Sequence, residues 1–149
     1  MTENPLEILI IEDDIYSVEF MIDALEENGP SDRIKVLRTG AEALDYLCSG
    51  RACPDDDSFR RPRLIFLDLN LPLVSGLQVL QKIRDTETTA AIPVVVFTSS
   101  ANERDRIESY RLGANSFVVK PHTYEKFVQA VAEIAFYWTR INRVSYLEA

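Results

Sequence analysis

Five short apolar runs, each followed by a helical pattern, leave this chain little choice of fold. The runs are Leu6 to Ile11, "RIKVLRT" at 33–39, "RLIFLD" at 63–68, "IPVVVFTSS" at 92–100 and "SFVVK" at 116–120. Strands with one wet face alternate apolar and polar residues. Most of these runs are apolar throughout, as in parallel strands covered on both faces. Between them, "IYSVEFMIDALEENG" sets Val18, Met21, Ile22 and Leu25 on one helical stripe and stops at Gly29. "GAEALDYLCSG" reads as a short helix ending at Gly50, and "GLQVLQKIRDT" turns Leu77, Leu80 and Ile83 inward. "NERDRIESYRLGA" is a fourth helix, and a closing helix runs from Thr123 to about Arg143. The alternation predicts an α/β fold, a doubly wound (βα)5 sandwich around a five-stranded parallel sheet.

A chain of 149 residues suits one domain with a single core, read here as residues 1–149 with a C-terminal helix extension from about 139. Acids outnumber bases 24 to 16, a net charge of −8, which argues against nonspecific nucleic-acid binding. No apolar run approaches the ~20 residues of a membrane span. The opening "MTENPLE" lacks a basic segment followed by an apolar stretch, so a cytoplasmic protein is expected. Cys48 and Cys53, with one histidine in the chain, cannot complete a four-ligand soft-metal site and read as two free thiols. The loop "RACPDDDSFRRP" carries Asp55, Asp56 and Asp57 in a row. Consecutive side chains rarely converge on one ion, so it reads as a solvated acidic loop.

The chemistry gathers at one edge. In a parallel sheet all carboxyl ends lie together, where open α/β sheets bind ligands. Glu12, Asp13 and Asp14 follow the first strand, Asp68 ends the third, Thr98 and Ser99 end the fourth, and Lys120 ends the fifth. Taken singly, Asp14 is a helix N-cap and Lys120 a surface lysine. Together they bring carboxylates, a hydroxyl and an ammonium into one crevice. Like charges so placed repel and raise one another's pKa unless a cation joins them. An oxygen-rich acidic pocket suits a hard divalent ion, Mg²⁺ above all, which shares its sphere with phosphate oxygens. Asp68 would then be a nucleophile assisted by the metal, with Lys120 and Thr98 on the phosphoryl group.

These residues resemble the receiver domains of two-component response regulators. The acid pair Glu12-Asp13, "DLNLPLVSG" with Asp68, Asn70, Pro72 and Gly76, then Thr98, Phe117 and Lys120-Pro121 stand in order and at suitable spacing. The resemblance covers residues 6 to about 138 and implies a flavodoxin-like receiver fold. It implies that Asp68 is the phosphoacceptor. Asp13, Asp68 and the backbone carbonyl of Asn70 would bind Mg²⁺, with Glu12 acting through water. Lys120 and Thr98 would contact the phosphoryl group, and Phe117 would be the aromatic switch that repacks as Thr98 moves. A cis peptide before Pro121 is also implied, within proline's small cis penalty. Ser75 and Leu73 depart from the usual pattern, where an acid and a polar residue are common.

A single helix and the stub "RVSYLEA" follow the fifth strand, which leaves no room for an output domain, so a stand-alone receiver acting by protein contact is expected. The insertion before strand three, "LDLNLP" and the Tyr137-Trp138 pair look like the single-domain regulators of bacterial and cyanobacterial phytochrome kinases. The expected partners are a phytochrome-type sensor histidine kinase and an unknown downstream protein, with neither nucleic acid nor membrane involved. An intermediate phosphocarrier in a phosphorelay is the alternative. A haloacid-dehalogenase-type phosphatase wants a second acid where Asn70 stands, and a flavodoxin wants a phosphate loop where "EDDIYS" stands. No separate substrate, and hence no enzyme, is expected. His122 reads as solvent-facing. On the closing helix Phe127, Val131, Ile134, Trp138 and Ile141 form the core stripe. Phe136 then points outward with Tyr137 near the border, a face read as that of a homodimer, the other reading being that the stub folds back over Phe136.

Overall fold

The computed structural model describes residues 6–27, 33–48 and 61–146. Strand and helix alternate: β1 (Ile8–Ile11), α1 (Ile15–Glu26), β2 (Ile34–Leu37), α2 (Gly40–Cys48), β3 (Leu64–Leu67), α3 (Gly76–Asp85), β4 (Val94–Thr98), α4 (Glu103–Arg111), β5 (Ser116–Val119) and α5 (Tyr124–Phe136). Every strand pair is parallel and the order is β2-β1-β3-β4-β5. This is the doubly wound (βα)5 sheet that the alternation predicts. The winding reverses between β1 and β3, and the carboxyl ends of those two strands frame the crevice.

The period of two along each strand splits the core. Leu9, Ile11, Ile65, Leu67, Val94 and Val96 face α2 and α3, packing on Leu47, Val79, Leu80 and Ile83. Ile8, Ile10, Leu64, Phe66, Val95 and Phe97 face α1 and α5, packing on Met21, Leu25, Phe127 and Val131. On this second face edge-to-face rings run from Phe66 to Phe97 at 5.9 Å, to Phe127 at 5.1 Å and to Phe20 at 5.5 Å. Side-chain oxygens start the helices. Asp14 caps α1, Asn102 caps α4 and Thr123 caps α5. Ser75 accepts from Gln78 N while the Gln78 side chain returns to Ser75 N, a capping box for α3. The serine that departs from the usual pattern is therefore a helix start, an interaction of about 1 kcal/mol.

The closing helix departs from expectation. Regular α-helix ends at Phe136, and Tyr137–Ile141 form a π-helical turn closed by Asn142 N on the Tyr137 carbonyl at 2.7 Å. An i→i+5 bond widens the turn and carries later side chains off the core stripe. Phe127 and Val131 are buried as expected, but Ala135 completes the stripe, Ile134 and Trp138 are only partly buried, and Ile141 is exposed. The described part of the stub, residues 143–146, leaves Phe136 about half exposed. Its Tyr146 hydroxyl instead donates to the Pro62 carbonyl, and the ring packs against the opposite core cluster under Arg61. No cis peptide occurs among the described residues, so the Lys120-Pro121 bond is trans, a difference within the roughly 1 kcal/mol separating the isomers before proline. Gly29, Gly50, Cys53 and Asp55 to Asp57 lie outside the described residues.

Candidate functional site

The crevice forms where β1, β3 and β5 end. Hydrogen bonds of the sheet carry on one residue past β1 and β3: Glu12 N donates to Leu37 O and Asp68 N to Ile11 O, each at 3.0 Å. These bonds fix the backbones of both acids. Glu12 and Asp68 are buried, whereas Asp13 is exposed at the mouth. One carboxylate oxygen from each of Glu12, Asp13 and Asp68 lies within 4.8 Å of the others, a spacing suited to one cation. Asn70 is exposed two residues on, its N–H aimed at Asp68 Oδ1 from 3.4 Å.

Lys120 reaches in from the end of β5, its backbone N–H held by Thr98 O at 2.7 Å. Its Nζ stands 2.6 Å from Glu12 Oε1 and 3.7 Å from Asp68 Oδ2, with its side chain almost covered. The same ammonium donates to Ser17 Oγ at 3.1 Å. Ser17 in turn donates to Asp14 Oδ2 at 2.8 Å, and that bond holds the Asp14 carboxyl below its ordinary range. Asp14 is thus the α1 cap, and the three carboxylates that converge are those of Glu12, Asp13 and Asp68. Ser17 escaped the sequence reading because it lies inside a helix and joins the site only through tertiary packing. Its signal was that it follows the Asp14 cap by three residues.

Burial and the neighbouring Asp68 charge push the Glu12 pKa up to about 8, against the pull of Lys120. The ion pair and the proton compete for the same carboxylate, and desolvation outweighs the ammonium. Were all three acids ionised around one ammonium, they would carry more negative charge than the pocket can neutralise, which is why Glu12 holds its proton. A divalent cation would relieve that excess, so the residues present fit one.

Two more features shape the mouth. A Cβ on Gly76 would lie 2.2 Å from the Asp68 carbonyl oxygen and 2.6 Å from Leu69 Cα, so only glycine lets α3 start against the acid's own backbone. Leu73 holds φ at +64° and is fully exposed, with Ile15 and Tyr16 of α1 also exposed beside the acids. Thr98 is fully buried at the end of β4, Phe117 is partly buried against the α2–α3 face, and His122 is exposed.

A family model for the response regulator receiver domain matches residues 8–132. The chain belongs to that family. The probable methanogenesis regulatory protein FilR2 of Methanothrix harundinacea is 38% identical to this receiver over 141 residues, 95% of this chain and 88% of its own. The response regulator Rcp1 of Synechocystis sp. is 33% identical over 134 residues, 90% of this chain and 89% of its own. Among solved structures, the phosphorylated cyanobacterial phytochrome response regulator RcpA superposes with a TM-score of 0.85 at 31% identity, covering 96% of this chain and all, 100%, of its own. The Mn²⁺-bound form of Rcp1 gives 0.83 at 31% identity, covering 95% and 100%. The receiver is thus close to phytochrome response regulators. No described helix is long and apolar enough to cross a membrane.

Proposed function

We propose that this receiver takes a phosphoryl group onto Asp68 from a phytochrome-type sensor histidine kinase and passes the signal on by protein contact. The carrying observation is the meeting of Glu12, Asp13 and Asp68 oxygens within 4.8 Å beside the Lys120 ammonium. A carboxylate oxygen of Asp68 attacks phosphorus, the P–N bond of the phosphohistidine breaks, and its electron pair stays on the imidazole nitrogen, which takes up a proton. Asp13, Asp68 and the Asn70 carbonyl would hold Mg²⁺, with Glu12 behind them. Bound there, the cation screens the charge between Asp68 and the incoming phosphoryl oxygens. Lys120, paired with Glu12 before the reaction, is placed to meet the new phosphoryl charge. Thr98 supplies a hydroxyl from the floor of the crevice, and Phe117 repacks as Thr98 moves. The chain on this reading is a phosphoryl acceptor with no separate substrate. The likeness to RcpA and Rcp1 supports the phytochrome assignment.

Acetyl phosphate with Mg²⁺ should add one phosphoryl mass to the wild type and none to Asp68→Asn; equal labelling of both would refute the assignment. By calorimetry, Asp13→Ala should weaken Mg²⁺ binding by about tenfold or more, and Asp55→Ala should leave it unchanged. Initial transfer rates from phytochrome-type kinases should exceed those from unrelated histidine kinases. We also propose that Phe136 and Tyr137, both about half exposed at the end of α5, form a homodimer face. Sedimentation should find a dimer for the wild type and a monomer for Phe136→Glu.

A further inference from the structure

Among the described helices α4 has the weakest hold on the core. Its only buried residue is Ser109, a polar one, while Ile107 and Tyr110 stand half exposed. Hydrogen bonds do what apolar burial does elsewhere. At its carboxyl end the chain is pinned: Gly113, with φ at +104°, gives its carbonyl to Arg84 Nε at 2.9 Å. The same guanidinium donates to the Ile92 carbonyl at 2.7 Å and to Asn115 Oδ1 at 2.9 Å. At its amino end the helix is tied to Ser100. The Ser100 hydroxyl donates to Asp105 Oδ2 at 2.6 Å and accepts from Asn102 N at 3.3 Å, and Asn102 Oδ1 caps the helix through Arg104 N at 2.8 Å.

Ser100 also touches the site. Its backbone N–H donates to Thr98 Oγ1 at 3.3 Å. One serine therefore joins the buried hydroxyl on the crevice floor to a carboxylate in the first turn of α4. The far side of α4 meets the other switch residue, where Phe117 N donates to the Tyr110 hydroxyl at 3.2 Å. Phe117 is thus hydrogen-bonded to α4 directly, and Thr98 is joined to it through Ser100. A helix pinned at one end, latched at the other and barely buried between them is built to pivot.

We propose that Ser100 and Asp105 are positioning residues, a latch that couples the Thr98 hydroxyl to the orientation of α4. The hydroxyl–carboxylate bond is of the stronger, charge-assisted kind, and it is the link from the β4 end to the helix body rather than to its cap. When Thr98 turns its hydroxyl toward a phosphoryl group, the Ser100 N–H that it accepts must follow or let go, and the strain reaches Asp105. The latch itself stands on the resting geometry. Only its use in signalling rests on the proposed phosphorylation of Asp68.

The test is hydrogen exchange on the full chain, first without phosphodonor. Ser100→Ala should speed exchange of the α4 amides by about tenfold and leave α5 unchanged, and Ser100→Thr, which keeps the hydroxyl, should restore the wild-type rate. Acetyl phosphate and Mg²⁺ are then added and Asp68 occupancy is matched by mass. Wild type and Ser100→Thr should show a phosphorylation-dependent change in α4 exchange, and Ser100→Ala should lose most of it. The proposal is overturned if α4 exchange in the resting Ser100→Ala protein is wild-type. It is also overturned if α4 of the phosphorylated wild type does not respond, or if phosphorylated Ser100→Ala responds in full. A wild type that takes up no phosphoryl group would remove the reading of Asp68 and leave the resting comparison to decide the latch.

Discussion

Helices α4 and α5 lie on either side of β5 in the chain, yet they are held by opposite means. α5 buries Phe127, Val131 and Ala135, and Phe127 sits edge-on to both Phe97 and Phe20. α4 buries one serine and is kept in place by Ser100, Asn102, Tyr110 and the Arg84–Gly113 bond. Apolar packing is dense and non-directional, so it resists displacement as a block. Hydrogen bonds are few and directional, and losing one partner frees the group it held. The receiver keeps its frame with the first kind of contact and leaves its movable part to the second. Signal transmission needs both, since a crevice that shifts against nothing rigid would move nothing in a defined direction.

The contrast is broken most directly by removing its strongest element. Phe127→Ala should cost about 3–5 kcal/mol of unfolding free energy, read from urea denaturation, because it empties the centre of the aromatic chain. A loss under about 1 kcal/mol would mean that α5 is not the anchor its packing implies. Next comes the join between frame and site. Gly76→Ala places a Cβ against the Asp68 carbonyl and the Leu69 backbone, neither of which can swing aside. It should cost about 2–3 kcal/mol, and it should weaken Mg²⁺ binding as well, since the acid moves with its backbone. Unchanged Mg²⁺ affinity in a destabilised Gly76→Ala protein would separate α3 from the site.

Much of this frame was legible in the sequence. The acids and the lysine fall where apolar runs stop, and a parallel sheet brings all such stops to one edge, so Glu12, Asp13, Asp68 and Lys120 needed only the strand assignment. Phe127 and Val131 followed from helical spacing. What escaped depends on distances across the fold. Ser17 meets Lys120 over 103 positions of sequence, and no local pattern marks that contact. Ser100 and Asp105, by contrast, are only five positions apart, and they escaped because the sequence does not show how the turn from β4 into α4 brings the two side chains together. The π-turn at Tyr137 broke a spacing argument that assumes α-helix to the end, and it takes Ile141 off the stripe. Ala135 closes the stripe within regular α-helix, four residues after Val131 as Val131 is four after Phe127.

The site itself offers a gentler perturbation through pH. In the folded chain Glu12 keeps its proton up to about 8, against an ordinary value of 4.5 once unfolded. Between those values the folded state binds a proton that the unfolded state has released, so stability falls as pH rises through that window. Thermal unfolding in chelator should therefore give a midpoint that declines from about pH 5 to pH 8. Glu12→Gln should flatten the decline, because a neutral amide carries no such desolvation cost. Saturating Mg²⁺ should offset it in the wild type, since a cation favours the ionised carboxylates. A midpoint that stays flat over the same range in chelator, with any change confined below about pH 4.5, would mean that Lys120, not burial, governs Glu12.

The smallest effect is expected where the contrast began. Ile107→Ala removes an aliphatic side chain from the middle of α4, a change that in a buried helix costs about 2–5 kcal/mol. Ile107 is 54% exposed, so little apolar surface returns to water on unfolding and no cavity is left behind. Alanine also has the higher helix propensity, which offsets part of what remains. The net change in urea stability should lie within about 0.5 kcal/mol of zero. A loss as large as that of Phe127→Ala would show α4 packed like α5, and the division between a packed frame and a latched helix would fall with it.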